Sequence, residues 1–126
     1  MKIHSINPVF AVADVGATIR WYEQELGFRG DPFPAQEPYV FGILRHDDIE
    51  IMLQRVPDHR KPDLYEGRSG GVWDAYLRID GLEELYARVK DRLKLKQPLR
   101  LQPYGLSEFE VEDPNGYILV FSELID

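Results

Sequence analysis

The stretch FAVADVGATIRWYEQELG, Phe10 to Gly27, decides how the chain is read. Its opening belongs to a short strand, Ile6 to Val12. Asp14 then supplies an N-cap carboxylate, Val15, Ile19, Tyr22 and Leu26 recur on one stripe, and Gly27 follows the last periodic residue, so residues 14–27 read as a helix. The pattern returns downstream. Trp73 to Ile79 reads as a strand, and Leu82, Leu85, Tyr86, Val89 and Leu93 form a second helical stripe. Glu83 and Glu84 fall in its first turn and Lys90, Arg92 and Lys94 in its last, a layout that complements the helix dipole. Displacing the chain by 67 positions lays Phe10 on Leu77, Val12 on Ile79, Val15 on Leu82, Ile19 on Tyr86, Tyr22 on Val89 and Leu26 on Leu93. So many apolar coincidences at one offset point to duplication, and two copies are too few for a solenoid, so they pack into one globule.

After each helix the periodicity changes to two. Tyr39 to Arg45 and Ile49 to Val56 flank His46-Asp47-Asp48, while Leu106 to Glu112 and Tyr117 to Leu124 flank Asp113-Pro114-Asn115-Gly116; both pairs read as hairpins. The order is βαβββ twice, an α+β fold with a curved mixed sheet around a cleft. The first module covers about residues 1–57 and the second about 72–126. Between them a polar linker at about 58–71 carries Gly67, Gly70 and Gly71. Alternation puts Ile49, Ile51, Leu53, Leu119 and Phe121 under the helices. Glu50, Met52, Gln54, Ile118, Val120 and Ser122 are left to line the open, concave side, where a ligand would sit.

Composition narrows the function classes. A chain of 126 residues with 44 % apolar and 12 % aromatic content suits one domain with a real core. No run approaches the roughly 18 to 20 apolar residues of a membrane span, and the start lacks the layout of a signal peptide, so a cytoplasmic protein is expected. The absence of cysteine excludes disulfides, thiolate catalysis and cysteine-bound zinc. A net charge of −7 disfavours nucleic acid and suits a cationic or neutral small ligand, although acidic charge also serves solubility.

The run Pro8 to Asp14, then Trp21-Tyr22 and Leu26-Gly27-Phe28, resembles the opening of vicinal-oxygen-chelate proteins. Gly81 to Ala87, Ser107-Glu108-Phe109 and Asp113 to Gly116 ending in Val120-Phe121-Ser122-Glu123 resemble the glyoxalase/bleomycin-resistance family, and its metal-free bleomycin-resistance branch in particular. The likeness spans nearly the whole chain. Metal-dependent relatives place their ligands at positions that correspond here to Asn7, Glu50, Asp74 and Val120. Val120 has no donor atom, Asn7 is a poor ligand, and none of His4, His46 or His59 falls at a matching position. No metal and no cofactor is expected, although Glu50 and Asp74 leave room for a weak oxygen-ligated ion.

The resemblance also implies that two aromatic residues, Phe41 and Tyr104, clamp a flat heteroaromatic ligand, for which stacking is favourable. A bland reading stands beside it, with Phe41 in the core and Tyr104 as a loop anchor, and Tyr104 departs from the tryptophan typical of the branch. Glu50, Asp74, Glu108 and Glu110 fall on the concave face, where they attract a cation or are simply solvated. Expected ligand contacts are therefore Phe41, Glu50, Met52, Asp74, Tyr104, Glu108 and Val120, with no catalytic residue. The resemblance further implies a homodimer with an exchanged N-terminal strand, hinged near Pro8. The expected function is sequestration of a bleomycin-like antibiotic or another aromatic cation in a dimer-interface cleft without chemical change. The alternatives are a metal-dependent lyase, isomerase, dioxygenase or thiol transferase of the same fold, or a metal-free enzyme with Glu50, Asp74 or Glu108 as general base.

Overall fold

The computed structural model describes residues 1–65, 68 and 71–124. The linker glycines Gly67 and Gly70 lie outside the described residues. The chain divides into two compact units, Met1–Lys61 and Pro62–Asp126. The first contains β1 (Val9–Val12), α1 (Val15–Leu26), β2 (Arg29–Phe33), β3 (Phe41–His46) and β4 (Ile49–Arg55). The second contains β5 (Ala75–Arg78), α2 (Leu82–Val89), β6 (Lys94–Leu101), β7 (Leu106–Glu112) and β8 (Ile118–Leu124). Each is a βαβββ module with its own four-stranded mixed sheet, ordered β1-β4-β3-β2 and β5-β8-β7-β6. In both, the first strand runs parallel to the last and the other pairs are antiparallel. The helices start at Val15 and Leu82, the two positions that the internal offset superposes.

Local chemistry accounts for the first helix. The Asp14 carboxylate accepts from the backbone N–H of Ala17 at 2.9 Å, and Gly27 ends the helix at φ 72°, a conformation glycine adopts without strain. Val15, Ile19, Tyr22 and Leu26 are buried along its inner stripe. Ile19 lies so close to Gly30 of β2 that a Cβ there would come within 2.3 Å of its Cγ2. Tyr22 meets Trp21 and Phe28 edge-on at 4.9 and 5.5 Å between ring centroids. In the second module Phe109 stacks on Phe121 at 5.4 Å and meets Tyr86 of α2 at 5.1 Å.

The second helix is shorter than its charge pattern suggests. It ends at Val89, where the N–H groups of Arg92 and Leu93 both turn back to the Val89 carbonyl, and Lys94 opens β6. Leu93 and Lys94 therefore lie outside the helix, because pairing along β7 claims the following residues as a strand. The sequence pattern passes over two strands, β2 and β6. Each lies at the edge of its sheet and contains a proline, Pro32 or Pro98, which an edge strand tolerates and which weakens the strand signal. The β6–β7 register shifts between Gln97 and Arg100, around Pro98.

The first strand begins at Val9 rather than Ile6, although the Pro8 carbonyl still accepts from Met52 N–H at 2.9 Å. Ile49, expected under the helix, is exposed at the start of β4, whereas Ile51 and Leu53 are buried. The face expected to be open is closed along β8, where Ile118, Val120 and Ser122 are as buried as Leu119 and Phe121. No helix among the described residues is long and apolar enough to cross a membrane.

Candidate functional site

Strand β7 sets out the chemistry. Phe109 and Val111 project to the side packed by α2, so Glu108, Glu110 and Glu112 project to the other, opposite Ser122, Val120 and Ile118 of β8. Charged residues are seldom fully buried unless partnered, yet these three are only 2 %, 4 % and 7 % exposed. Each has a different solution.

Glu108 is held by two phenols. Tyr76 of β5 donates its hydroxyl to Oε2, and Tyr104, in the turn before β7, donates to Oε1 at 2.7 Å. Burial, reinforced by the Glu108 carboxylate, pushes the Tyr104 phenol up to about 12 and the Tyr76 phenol above its ordinary value. Both therefore stay protonated donors at neutral pH. Tyr104 and Tyr76 are nevertheless 56 % and 37 % exposed, so the buried acid fixes two surface aromatics by their polar tips.

Glu112 is held by two ammonium groups, Lys94 at 2.8 Å and Lys96 at 3.4 Å. Burial pushes this carboxyl up, but the two lysines more than offset it and keep it below its ordinary value. Lys96 also donates to Asp63 at 3.1 Å and lies 5.1 Å from the centre of the Tyr65 ring, tying residues 63–65 to β6.

Glu110 sits between these pairs. The indole N–H of Trp73 donates to its Oε2 at 3.1 Å, while its buried Oε1 has no partner. Burial pushes its carboxyl up to about 7. Trp73 is 43 % exposed and its ring lies 5.5 Å from that of Tyr76. Two buried carboxylates thus hold three part-exposed aromatic residues, and one buried carboxylate oxygen is left without a donor.

Of the residues anticipated from sequence, Tyr104 and Glu108 are directly bonded, and Val120 lies on the same face opposite Glu110 and beside Tyr76. Asp74 spends Oδ2 on the backbone N–H of Ile118 at 2.8 Å, which fastens the entry of β5 to β8. On the first module, Phe41, Met52 and Glu50 occupy the sheet face away from α1. Phe41 lies 6.2 Å from Phe33, and Glu50 accepts from Arg45 Nε at 2.9 Å while Arg45 also grips Asp31. Trp73 and Tyr76 were not anticipated. The Glu-x-Glu-x-Glu alternation of β7 held the available signal, since three acids on one strand face demand donors from the adjoining strands.

The metal positions of the resembled family do not fit an ion here. Val120 offers no donor atom, Glu50 is paired with Arg45 and Asp74 with backbone. Among the described residues no three His, Cys, Asp or Glu side chains group to hold a metal.

No curated protein matches the chain. Among solved structures it is similar to a glyoxalase-related enzyme from Clostridium phytofermentans, with a TM-score of 0.77, 21 % identity, and coverage of 99 % of this chain and 98 % of that one. It is also similar to TioX from Micromonospora sp. ML1, with a TM-score of 0.73, 20 % identity and 98 % of each chain covered. A glyoxalase/bleomycin resistance protein/dioxygenase from Nocardioides matches with a TM-score of 0.68 at 12 % identity, over 100 % of this chain and 86 % of that one. At these identities the likeness is one of fold. The family model for the glyoxalase/bleomycin resistance protein/dioxygenase superfamily matches residues 2–121, and the chain belongs to that superfamily.

Proposed function

We propose that this chain is a binding protein that sequesters a small aromatic, cationic molecule without changing it, with a bleomycin-type antibiotic as the reference ligand. The observation that carries the reading is Glu108, a buried acid whose two oxygens hold the hydroxyls of Tyr76 and Tyr104 while both rings remain exposed. Rings fixed before the ligand arrives lose little freedom on binding, and stacking adds about 0.5–1.5 kcal/mol per aromatic pair beyond area burial. Tyr104 and Asp74 are the proposed contacts on the second module, with Trp73 and Tyr76 added, while the buried Glu108 and Val120 support them from behind. Phe41, Glu50 and Met52 are those on the first. The net charge of −7 favours a cation over an anion. A cytoplasmic homodimer with an exchanged N-terminal strand belongs to the same proposal.

Calorimetric titration of chelator-treated protein with metal-free bleomycin tests it. Saturable binding that weakens about tenfold in Tyr104→Ala, the loss of one stacking ring with its area, is expected. Absence of heat at several temperatures, with the fold intact, would remove the bleomycin assignment.

A further inference from the structure

Glu110 has the one carboxylate on the β7 face with an unmet oxygen. Glu108 is used by two hydroxyls and Glu112 by two lysines, whereas Glu110 accepts only the Trp73 indole, and its second oxygen is buried without a donor. An acceptor left in that state is unfavourable. No described residue donates to it, although the Gln97 amide of β6 and the buried, unpartnered Tyr65 hydroxyl beside Trp73 are donors nearby. Its own strand presents Glu108 and Glu112. From β8 it faces Val120, with Ile118 and Ser122 alongside, and from β5 comes Tyr76, already donating to Glu108. From β6 it faces Gln97, flanked by Arg100 opposite Glu108 and by Lys94 opposite Glu112. Lys94 and Lys96 are committed to Glu112, the latter also to Asp63, and Tyr104 to Glu108.

We propose that Glu110, with Trp73 and Tyr76, forms a subsite for a single alkylammonium group. The inference deepens the reading of this surface as a ligand site and rests on it. The acid selects the cation class by counting oxygens. A guanidinium fork is matched by both oxygens of a carboxylate, but Trp73 already holds one, so a group that offers separate N–H donors suits the remaining oxygen. A quaternary ammonium has no N–H to give. The part-exposed Trp73 and Tyr76 rings, 5.5 Å apart, add the attraction of aromatic faces for a cation. Binding also moves a proton. Burial holds the Glu110 carboxyl near 7, so below that pH the group is neutral; an arriving ammonium pairs with the carboxylate and the carboxyl proton passes to solvent. Affinity for an ammonium that stays charged then rises by about tenfold from pH 6 to pH 8.

Tryptamine and its uncharged analogue tryptophol separate the charge from the ring. Their dissociation constants are measured at pH 6 and pH 8 by NMR titration, following the indole N–H signal of Trp73, on the full chain and on Glu110→Gln. The amide keeps an acceptor for Trp73, and thermal unfolding checks that the variant folds. The expected result is tryptamine binding about tenfold tighter at pH 8 than at pH 6, tryptophol binding independent of pH, and no pH effect on tryptamine in the variant. Equal, pH-independent affinities for both compounds on the unmodified chain overturn the ammonium subsite and leave the aromatic surface standing. Binding of neither overturns both. Should the variant not fold, the comparison of the two probes on the unmodified chain decides alone.

Discussion

Replacing Glu110 by Gln should make the protein's stability depend less on pH. Glu110 is 4 % exposed and has no charge partner among the described residues, and burial raises its carboxyl from an ordinary 4.5 to about 7. Between those values the folded chain holds a proton that the unfolded chain has released, so stability falls as pH rises through this window and levels off above 7. The shift corresponds to about 2.5 kcal/mol lost between pH 5 and pH 8 at 1.36 kcal/mol per pKa unit. Glutamine does not titrate, so the variant lacks this term, and every other titrating group cancels when the two proteins are compared. Urea unfolding at pH 5 and pH 8 measures the comparison directly. The stability of Glu110→Gln relative to the unmodified chain should improve by about 2.5 kcal/mol on going from pH 5 to pH 8, whatever fixed cost the amide carries. A relative stability that is the same at both values would mean that Glu110 titrates normally, and the account of its buried oxygen would fail.

Four further outcomes follow from named contacts. Tyr76→Phe leaves an oxygen of buried Glu108 without its donor, and urea unfolding at pH 7 should show a loss of about 1–3 kcal/mol. In a spectrophotometric phenol titration, Tyr104→Phe should remove a component that ionises only near pH 12. Lys96→Met takes one of two cations from Glu112; the lowered Glu112 carboxyl stabilises the fold above the ordinary carboxylate range, so the loss, about 1–3 kcal/mol at pH 7, should shrink as pH falls through that range. The N-cap position of helix α2 is Gly81, which has no side chain to cap it, and the Glu123 carboxylate accepts from the Gly81 and Leu82 N–H groups at 3.2 and 3.1 Å. Glu123→Ala should therefore cost about 1 kcal/mol in chemical unfolding.

What could be read from sequence was what local chemistry determines. The Asp14 cap, the Gly27 terminus and the Asp113 turn are set within a few residues. Asp113 Oδ1 accepts from Asn115 and Tyr117 N–H at 2.8 and 2.9 Å, with Gly116 at φ 92°. The internal offset gave the module order because the apolar stripes of the two helices repeat at one spacing, although their caps differ. Strands β2 and β6 were hidden because edge strands accept Pro32 and Pro98 and show weak alternation. The length of α2 was misjudged because basic residues from Lys90 to Lys94 imitate a helix end, while the decision rests with β7, more than ten residues away. The candidate site was half legible. Tyr104 follows from the family resemblance and Glu108 from its strand face, but the burial of Glu110 and the roles of Trp73 and Tyr76 depend on which strands lie side by side.

Chemical-shift mapping of the isotope-labelled protein during titration with metal-free bleomycin tests whether the aromatic surface held by Glu108 and Glu110 binds the drug. Saturable shifts are expected at the Trp73 indole N–H and the backbone amides of Tyr76, Tyr104 and Glu110, and none in a Tyr76→Ala, Tyr104→Ala double variant that remains folded. Saturable shifts confined to other residues, or shifts unaltered in that double variant, would contradict binding at that surface.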